Sequence, residues 1–304
     1  MVVKAATAPA DAVIFDLEDA VAIDDKETAR ILAADLVSLI KQRGIQTFVR
    51  VNSLSTGLTD ADLKSSIVKG LDGVILPKTE TGADVVRLCE MLNEAEKHSG
   101  VTPQSTVLIP LIETAKGIAN CYEIASASSR VVAVAFGAGD YCRDLGRDIS
   151  MVSEQQIELL YPRSHMVNMS RAAGIQAIDT PFLGLLTDRG GLLREVELAV
   201  RLGFKGKQCI HPSQIEPINS MFSPSEEDVR RATRIAESFE EAQARGLGAI
   251  SFEGRMIDYM SYCQARDVLA KAQLIEDRKM TMTGKTSHVT VSEVFSRHLQ
   301  GNHR

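Results

Sequence analysis

Seven short apolar runs punctuate the first two-thirds of the chain, and each is nearly continuous in apolar residues instead of alternating with polar ones. They are Ala12–Leu17, Thr47–Asn52, Gly73–Pro77, Thr106–Ile112, Val131–Phe136, Ile175–Asp179 and Phe204–Ile210. Runs of this length and kind fit strands that are buried on both faces, as in a parallel sheet. Helical patterns lie between them. Lys26–Arg43 stops at Gly44. Gly82–His98 places Val85, Val86, Leu88, Cys89 and Leu92 at helical spacing, and Gly117–Ser126 and Gly190–Leu202 follow the same rule. Alternation this regular predicts βαβ units. Seven strands exceed the needs of a small doubly wound sheet, so the pattern points to a TIM (β/α)8 barrel with one strand unassigned.

Beyond the seventh run, Ser225–Arg245 begins Ser-Glu-Glu-Asp and reads as a capped helix. Gly246-Leu-Gly248 breaks it, and Ile250–Ala272 reads as a strand–turn–helix unit. The remainder is polar, with a short strand at His288–Val291 or a final helix as the two readings. The predicted organisation is a barrel over 1–222, a C-terminal helix and lid segment over 223–278, and a polar tail over 279–304. No repeat of 20–50 residues is visible.

Composition narrows the function. The 304 residues are 44% hydrophobic and 24% charged, with a formal net charge of −6. That balance and the lack of a long basic run argue against nucleic-acid binding. No apolar run is long enough to span a membrane, and Met1–Val13 lacks the pattern of a signal peptide. The five cysteines, Cys89, Cys121, Cys142, Cys209 and Cys263, are scattered and odd in number, which fits a reducing, cytoplasmic setting.

Polar residues cluster where the apolar runs end. The first run passes into Asp16-Leu-Glu18-Asp19, and the second carries Arg50 and Asn52. The third ends at Pro77-Lys78, the fourth at Glu113-Thr114, and the fifth runs into Gly137-Ala-Gly-Asp140. The sixth ends at Asp179 and the seventh at His211-Pro212. In a barrel, catalytic groups sit at the C-terminal ends of strands. Any one of these carboxylates could simply cap the next helix. Glu113 and Asp140, however, both follow strongly apolar approaches. Two carboxylates brought together there call for a cation between them, and Mg2+ suits all-oxygen ligation with room for water. Arg50 needs a partner: a substrate oxygen, or a structural pair with Glu18 or Asp19. Lys205 and Lys207 fall near the expected barrel mouth, suited to phosphates or to solvent. His211 reads equally well as a base or as a turn residue, Cys142 as a small filler, and the glycines near Asp140 as room for close backbone approach to a ligand.

Taken together, Ala12–Val21, Phe48–Asn52, Asp72–Lys78, Pro110–Ala115, Ala135–Asp140, Gly206–Pro212 and Gly254–Asp258 resemble, in order, the citrate lyase β-subunit-like branch of the HpcH/HpaI aldolase and citrate lyase family. The resemblance implies a TIM barrel with Mg2+ held by Glu113 and Asp140, and Arg50 on the carbonyl or enolate oxygen. It implies that Glu18 and Asp19 order water near the metal, and that Lys78 and Lys207 line a coenzyme A channel. Asp258 would be the acid/base, carried on a lid that covers the site of a neighbouring subunit. The assembly would then be a homo-oligomer, a trimer or hexamer. Against the family pattern, the chain begins at Val3-Lys-Ala, where the helix after the first strand is expected, so the barrel is expected to lack the usual first strand.

The implied activity is Mg2+-dependent carbon–carbon cleavage or formation of a CoA thioester of a small hydroxy acid, of the citryl-, malyl- or citramalyl-CoA kind. The motifs do not choose among these acyl groups, or between lysis and a following thioester hydrolysis. Two other classes compete: a metal-dependent pyruvate-type aldolase, and a weakly active or non-catalytic lyase subunit. Asp19, where the aldolases usually carry histidine, and Asp258 favour the thioester branch.

Overall fold

A computed structural model describes residues 9–282. It divides into two compact units, Met1–Ile218 and Asn219–Arg304. The first holds a seven-stranded parallel sheet in sequence order: β1 (Ala12–Asp16), β2 (Gln46–Arg50), β3 (Gly73–Leu76), β4 (Val107–Ile112), β5 (Ala133–Phe136), β6 (Gln176–Asp179) and β7 (Gly206–Lys207). Each strand pairs in parallel with the next, which is the order a (β/α) barrel uses. The helices are α1 (Lys26–Lys41), α2 (Thr59–Ser66), α3 (Gly82–Ser99), α4 (Ala115–Ala119), α5 (Cys121–Ser126), α6 (Ala138–Asp144), α7 (Ile157–Ala172), α8 (Arg189–Leu202) and α9 (Ile215–Phe222).

The central strands β3, β4 and β5 are buried on both faces, which is why their sequences are continuously apolar, while β1 leaves Ile14 exposed. Val49, Val74, Leu108 and Val134 pack on one face with Val37, Val85, Leu88 and Met166 from the helices. Phe48, Ile75, Ile109, Leu111, Ala133 and Ala135 pack together on the other. Alternation then sets direction: Arg50 shares the face of Phe48, and Glu113 that of Leu111. Gly73 keeps the strands together, because a side chain there would come within 2.7 Å of the Phe48 ring.

Local signals fix the helix starts. Thr81 and Asp84 form a reciprocal capping box on α3, and Asp188 accepts from the Gly191 amide at the start of α8. Four helices escape the sequence pattern: α2, α6, α7 and α9. α2 and α6 are short, and α7 contains Pro162 as its sixth residue, which reads as a breaker because it removes a helix hydrogen bond. β7 is confined to Gly206–Lys207, shorter than the predicted Phe204–Ile210. The tail strand expected at His288–Val291 and the helix expected at Val3-Lys-Ala lie outside the described residues.

The second unit contains α10 (Glu226–Ala244), an antiparallel hairpin of β8 (Ala249–Phe252) and β9 (Arg255–Asp258), and α11 (Tyr259–Met282). Ser225 and Asp228 cap α10 reciprocally. Ala232, Ile235, Phe239, Ile257 and Ala265 form its core. The strand expected near Ile250 thus becomes a hairpin, and α11 continues through Met282, past the expected start of the tail at 279.

One buried ion pair ties α3 to the strands beside it. Glu96 accepts from Arg130 Nη1 and Nη2 at 2.9 and 2.7 Å and from the amides of Gln104 and Thr106. Burial alone would raise its carboxyl, but Arg130 and the two amides outweigh it and hold the pKa at about 2, against 4.5 for a free side chain. Glu96→Ala is expected to destabilise the chain by about 3 kcal/mol or more in urea unfolding at neutral pH, because it strands a buried guanidinium. A depressed carboxyl stabilises fully above its unfolded pKa and progressively less below it. The gap between wild type and Glu96→Ala should therefore narrow as the pH falls from about 4.5 toward 2.

Candidate active site

Parallel strands deliver their C-terminal ends to one edge, so the residues leaving β1 to β5 become neighbours. Register makes the first contact, since Asp16 is the ladder partner of Arg50. Arg50 Nε donates to Asp16 Oδ1 at 2.7 Å and Nη2 donates to Oδ2 at 2.5 Å, a two-point pair that fixes the plane of the guanidinium. Nη1 lies 3.0 Å from Glu18 Oε2 as an ion contact without hydrogen-bond geometry. Burial works against the Arg50 charge, but Asp16 and then Glu18 and Glu113 raise its pKa above the ordinary arginine range. Arg50 thus takes the structural pairing expected with Glu18, adds Asp16, and keeps part of its side chain exposed.

Lys78, just after β3, links the next two strand ends. Its Nζ donates to Glu18 Oε1 at 2.5 Å and to Asp19 Oδ2 at 3.3 Å. Burial opposes the ammonium charge, while Glu18 and then Asp19 raise its pKa. Its amide donates to Glu113 Oε1 at 2.8 Å from a backbone with φ 51°, in the left-handed region that a β-carbon disfavours. Charge therefore alternates along the edge: Asp16, Arg50, Glu18, Lys78, Glu113.

Glu113 is only 3% exposed. Burial pushes its pKa up to about 8; Asp140 and Glu18 push the same way, against the Lys78 amide and Arg50. Asp140 lies in the first turn of α6, directly after β5. Gly137 permits the approach, since a side chain there would lie 2.7 Å from the Glu113 β-carbon and closer still to its carboxylate. The glycine run before Asp140 thus leaves room for Glu113 itself.

Glu113, Asp140 and Lys78 line a cavity of about 380 Å³, together with Ser53, Leu54 and Ser55 after β2 and Thr114 after β4. Glu80, Asp84, Arg143 and Asp144 complete the rim, giving five carboxylates (with Glu113 and Asp140) against two cations, Lys78 and Arg143. Lys78 is already held by Glu18. Among the described residues no group of three or more His, Cys, Asp or Glu side chains is arranged to hold a metal ion. A buried carboxylate beside a second one, in an acid-rich cavity, nevertheless suits a hard divalent ion that keeps water or substrate oxygens as its other ligands.

The structure does not bring every expected residue here. Lys207 is fully buried elsewhere: its Nζ donates to Asp179 Oδ2 and the Thr180 carbonyl, both at 2.7 Å, and to Glu195. Arg163 joins Asp179 at 2.9 Å, so two cations and two carboxylates neutralise one another between β6, β7, α7 and α8. That ammonium is committed and turned away from solvent, unlike the phosphate-facing lysine expected. In the second unit, Asp258 Oδ1 accepts from the Ser261 amide and hydroxyl at 2.9 and 3.0 Å, which caps α11 and lowers its pKa. His211 accepts from the Ser213 amide in a turn, and Cys142 is buried as filler. The sequence alone gives Asp16 no role; its signal there is a strand-end position two residues before Glu18.

A family model for HpcH/HpaI aldolase/citrate lyase matches residues 1–212. Citrate lyase subunit beta of Haemophilus influenzae is 40% identical over 263 residues, covering 86% of this chain and 89% of that protein. The mitochondrial citramalyl-CoA lyase of Homo sapiens is 32% identical over 278 residues, 88% of this chain and 80% of that protein. A crystal structure of CitE from Mycobacterium tuberculosis, in complex with magnesium, acetoacetate and coenzyme A, superposes with a TM-score of 0.69 at 31% identity, covering 88% of this chain and 91% of that one. The chain belongs to the HpcH/HpaI aldolase/citrate lyase family and is a lyase of that family.

Proposed function

We propose that the chain is a Mg2+-dependent lyase that cleaves, or in reverse forms, a carbon–carbon bond in the CoA thioester of a small hydroxy acid of the citryl-, malyl- or citramalyl-CoA kind. The observation that carries this reading is the buried carboxylate of Glu113, raised to about 8 beside Asp140 in an acid-rich cavity. A divalent cation would relieve that repulsion, and Glu113 and Asp140 would hold it. When bound, it would act as a Lewis acid toward the substrate's oxygens.

The protein's own groups have separable tasks. Arg50, fixed in plane by Asp16, offers N–H groups to the oxygen that gains charge as the bond breaks. Glu18 and Asp19 hold Lys78 at the mouth and order water beside the metal site. Lys78, near the cavity wall, suits the thioester side of the substrate. Asp258 is the acid/base, delivering a proton to the enolate carbon in cleavage or removing it in condensation. Asp258 is contributed by a neighbouring subunit, so the active form is a homo-oligomer. Support for the CoA thioester over a free pyruvate-type aldol comes from the likeness to citramalyl-CoA lyase.

Three measurements test this reading. Glu113→Ala and Asp140→Ala are each expected to abolish Mg2+ binding by calorimetry and Mg2+-dependent cleavage of a panel of acyl-CoA substrates, with circular dichroism unchanged. Retained Mg2+-dependent activity in Glu113→Ala overturns the assignment. Arg50→Lys is expected to lose about 100-fold or more in kcat, since a point charge cannot reproduce the fork; a normal kcat with a lowered melting temperature makes Arg50 purely structural. Mixing Glu113→Ala with Asp258→Ala under subunit exchange is expected to restore part of the activity. No recovery despite demonstrated exchange removes Asp258 from the neighbouring site.

A further inference from the structure

Lys26 is an ammonium in the wrong place by ordinary rules. It is the first residue of α1, where the helix dipole disfavours a cation, and it is only 8% exposed. Its three acceptors are all uncharged: Nζ donates to the Leu17 carbonyl at 2.6 Å, the Glu18 carbonyl at 2.8 Å and Asn52 Oδ1 at 2.9 Å. Burying a cation among neutral acceptors costs free energy that a methionine of similar length would not incur. A local gain in fold stability does not explain the choice.

What the three bonds accomplish is geometric. They grip two successive carbonyls at the exit of β1 and join them to the end of β2. Asn52 reinforces the grip, because its Nδ2 also donates to the Leu17 carbonyl. Asn52 is itself held by Asp62, which accepts from its amide and its side chain, each at 2.7 Å, and Asp62 is held by Arg30 from α1. The peptide so clamped carries Glu18, whose side chain holds Lys78 and faces Arg50.

We infer that Lys26 is a positioning residue for the reaction: it locks the Leu17–Glu18 backbone so that Glu18 sets both Arg50 and Lys78 in reacting geometry. The inference rests on the proposed lyase reading for its kinetic consequence, but not for its structural one. A loosened Glu18 leaves Arg50 its two-point pair with Asp16, removes the opposite charge beside Nη1 and frees the Lys78 ammonium that Glu18 holds. Displacement of about 1 Å in such a group can cost about 100-fold in rate.

The test is a double-mutant cycle between Lys26 and Glu18, with hydrogen exchange as a second readout. Lys26→Met is expected to lower kcat about 30-fold while KM for the acyl-CoA stays within about threefold. Glu18→Gln lowers kcat as well, and adding Lys26→Met to it should change kcat by less than about threefold, because Lys26 acts through Glu18. Losses that multiply overturn the inference, since a residue that only supports the fold acts independently. Lys26→Arg, which keeps the charge and the donors, should lose less than Lys26→Met and stands in for it in the cycle should the methionine variant fail to fold; an equal loss in both folded variants counts against the clamp. In the exchange experiment, Lys26→Met should speed exchange at the Glu18 and Val21 amides while the amides of β4 stay protected. Uniform acceleration, or none at the β1 exit, overturns the inference. Exchange needs no substrate, so if wild type cleaves no acyl-CoA the lyase reading fails alone and the clamp stands or falls by exchange.

Discussion

The pairing of the β1 exit with the two cations beside it organises the whole strand-end edge. Asp16 and Glu18 leave one strand two residues apart, so both reach the same side. Between them they fix Arg50 from β2 and Lys78 after β3. Lys78 in turn lends its backbone amide to Glu113 after β4. Five charged groups from four strand ends thus form one chain of contacts, in which Asp16, Arg50, Glu18 and Lys78 meet opposite charges and Glu113 meets a backbone amide. Partly buried charges are tolerable only in such an arrangement.

That chain leaves one group under-compensated. Glu113 receives an amide and the distant field of Arg50, while Asp140 and Glu18 oppose its ionisation. The fold keeps it there by removing a side chain at Gly137 and by holding Lys78 in a left-handed conformation. Both features spend conformational freedom to crowd two carboxylates together, the reverse of what stability alone would select. Among the described residues four non-glycine positions have positive φ (Lys78, Gln104, Gln156 and Glu253), and of these Lys78 is the one that lines the cavity.

A second buried ionic group shows the contrast. Arg163, Asp179, Glu195 and Lys207 are closed on themselves, two charges of each sign with no free carboxylate. Such a cluster links α7, β6, α8 and β7 and offers nothing to a ligand. The cavity side of the sheet carries the excess acid, and the β6–β7 side is neutralised. Asp179 and Lys207 look in sequence like the strand-end charges of the cavity, but Arg163 and Glu195 come from helices and complete the balance.

The seven strands and their parallel arrangement were legible in the sequence, because runs apolar at nearly every position point to a doubly covered sheet. The cap of α10 was legible for a local reason, the Ser-Glu-Glu-Asp start at Ser225. The short helices α2 and α6, and α7 with its Pro162, were not, since tertiary packing and not periodicity holds them. Which strand-end charges meet was also beyond the sequence. Asp16 reaches Arg50 only through the register of β1 on β2, and Lys207 turns inward only because Asp179 and Glu195 converge on it. The sequence by itself determined the residue types at the strand ends. The tertiary structure decided which of them are paired and which carboxylate stays short of a cation, because charge compensation depends on distances between strands that no local pattern records.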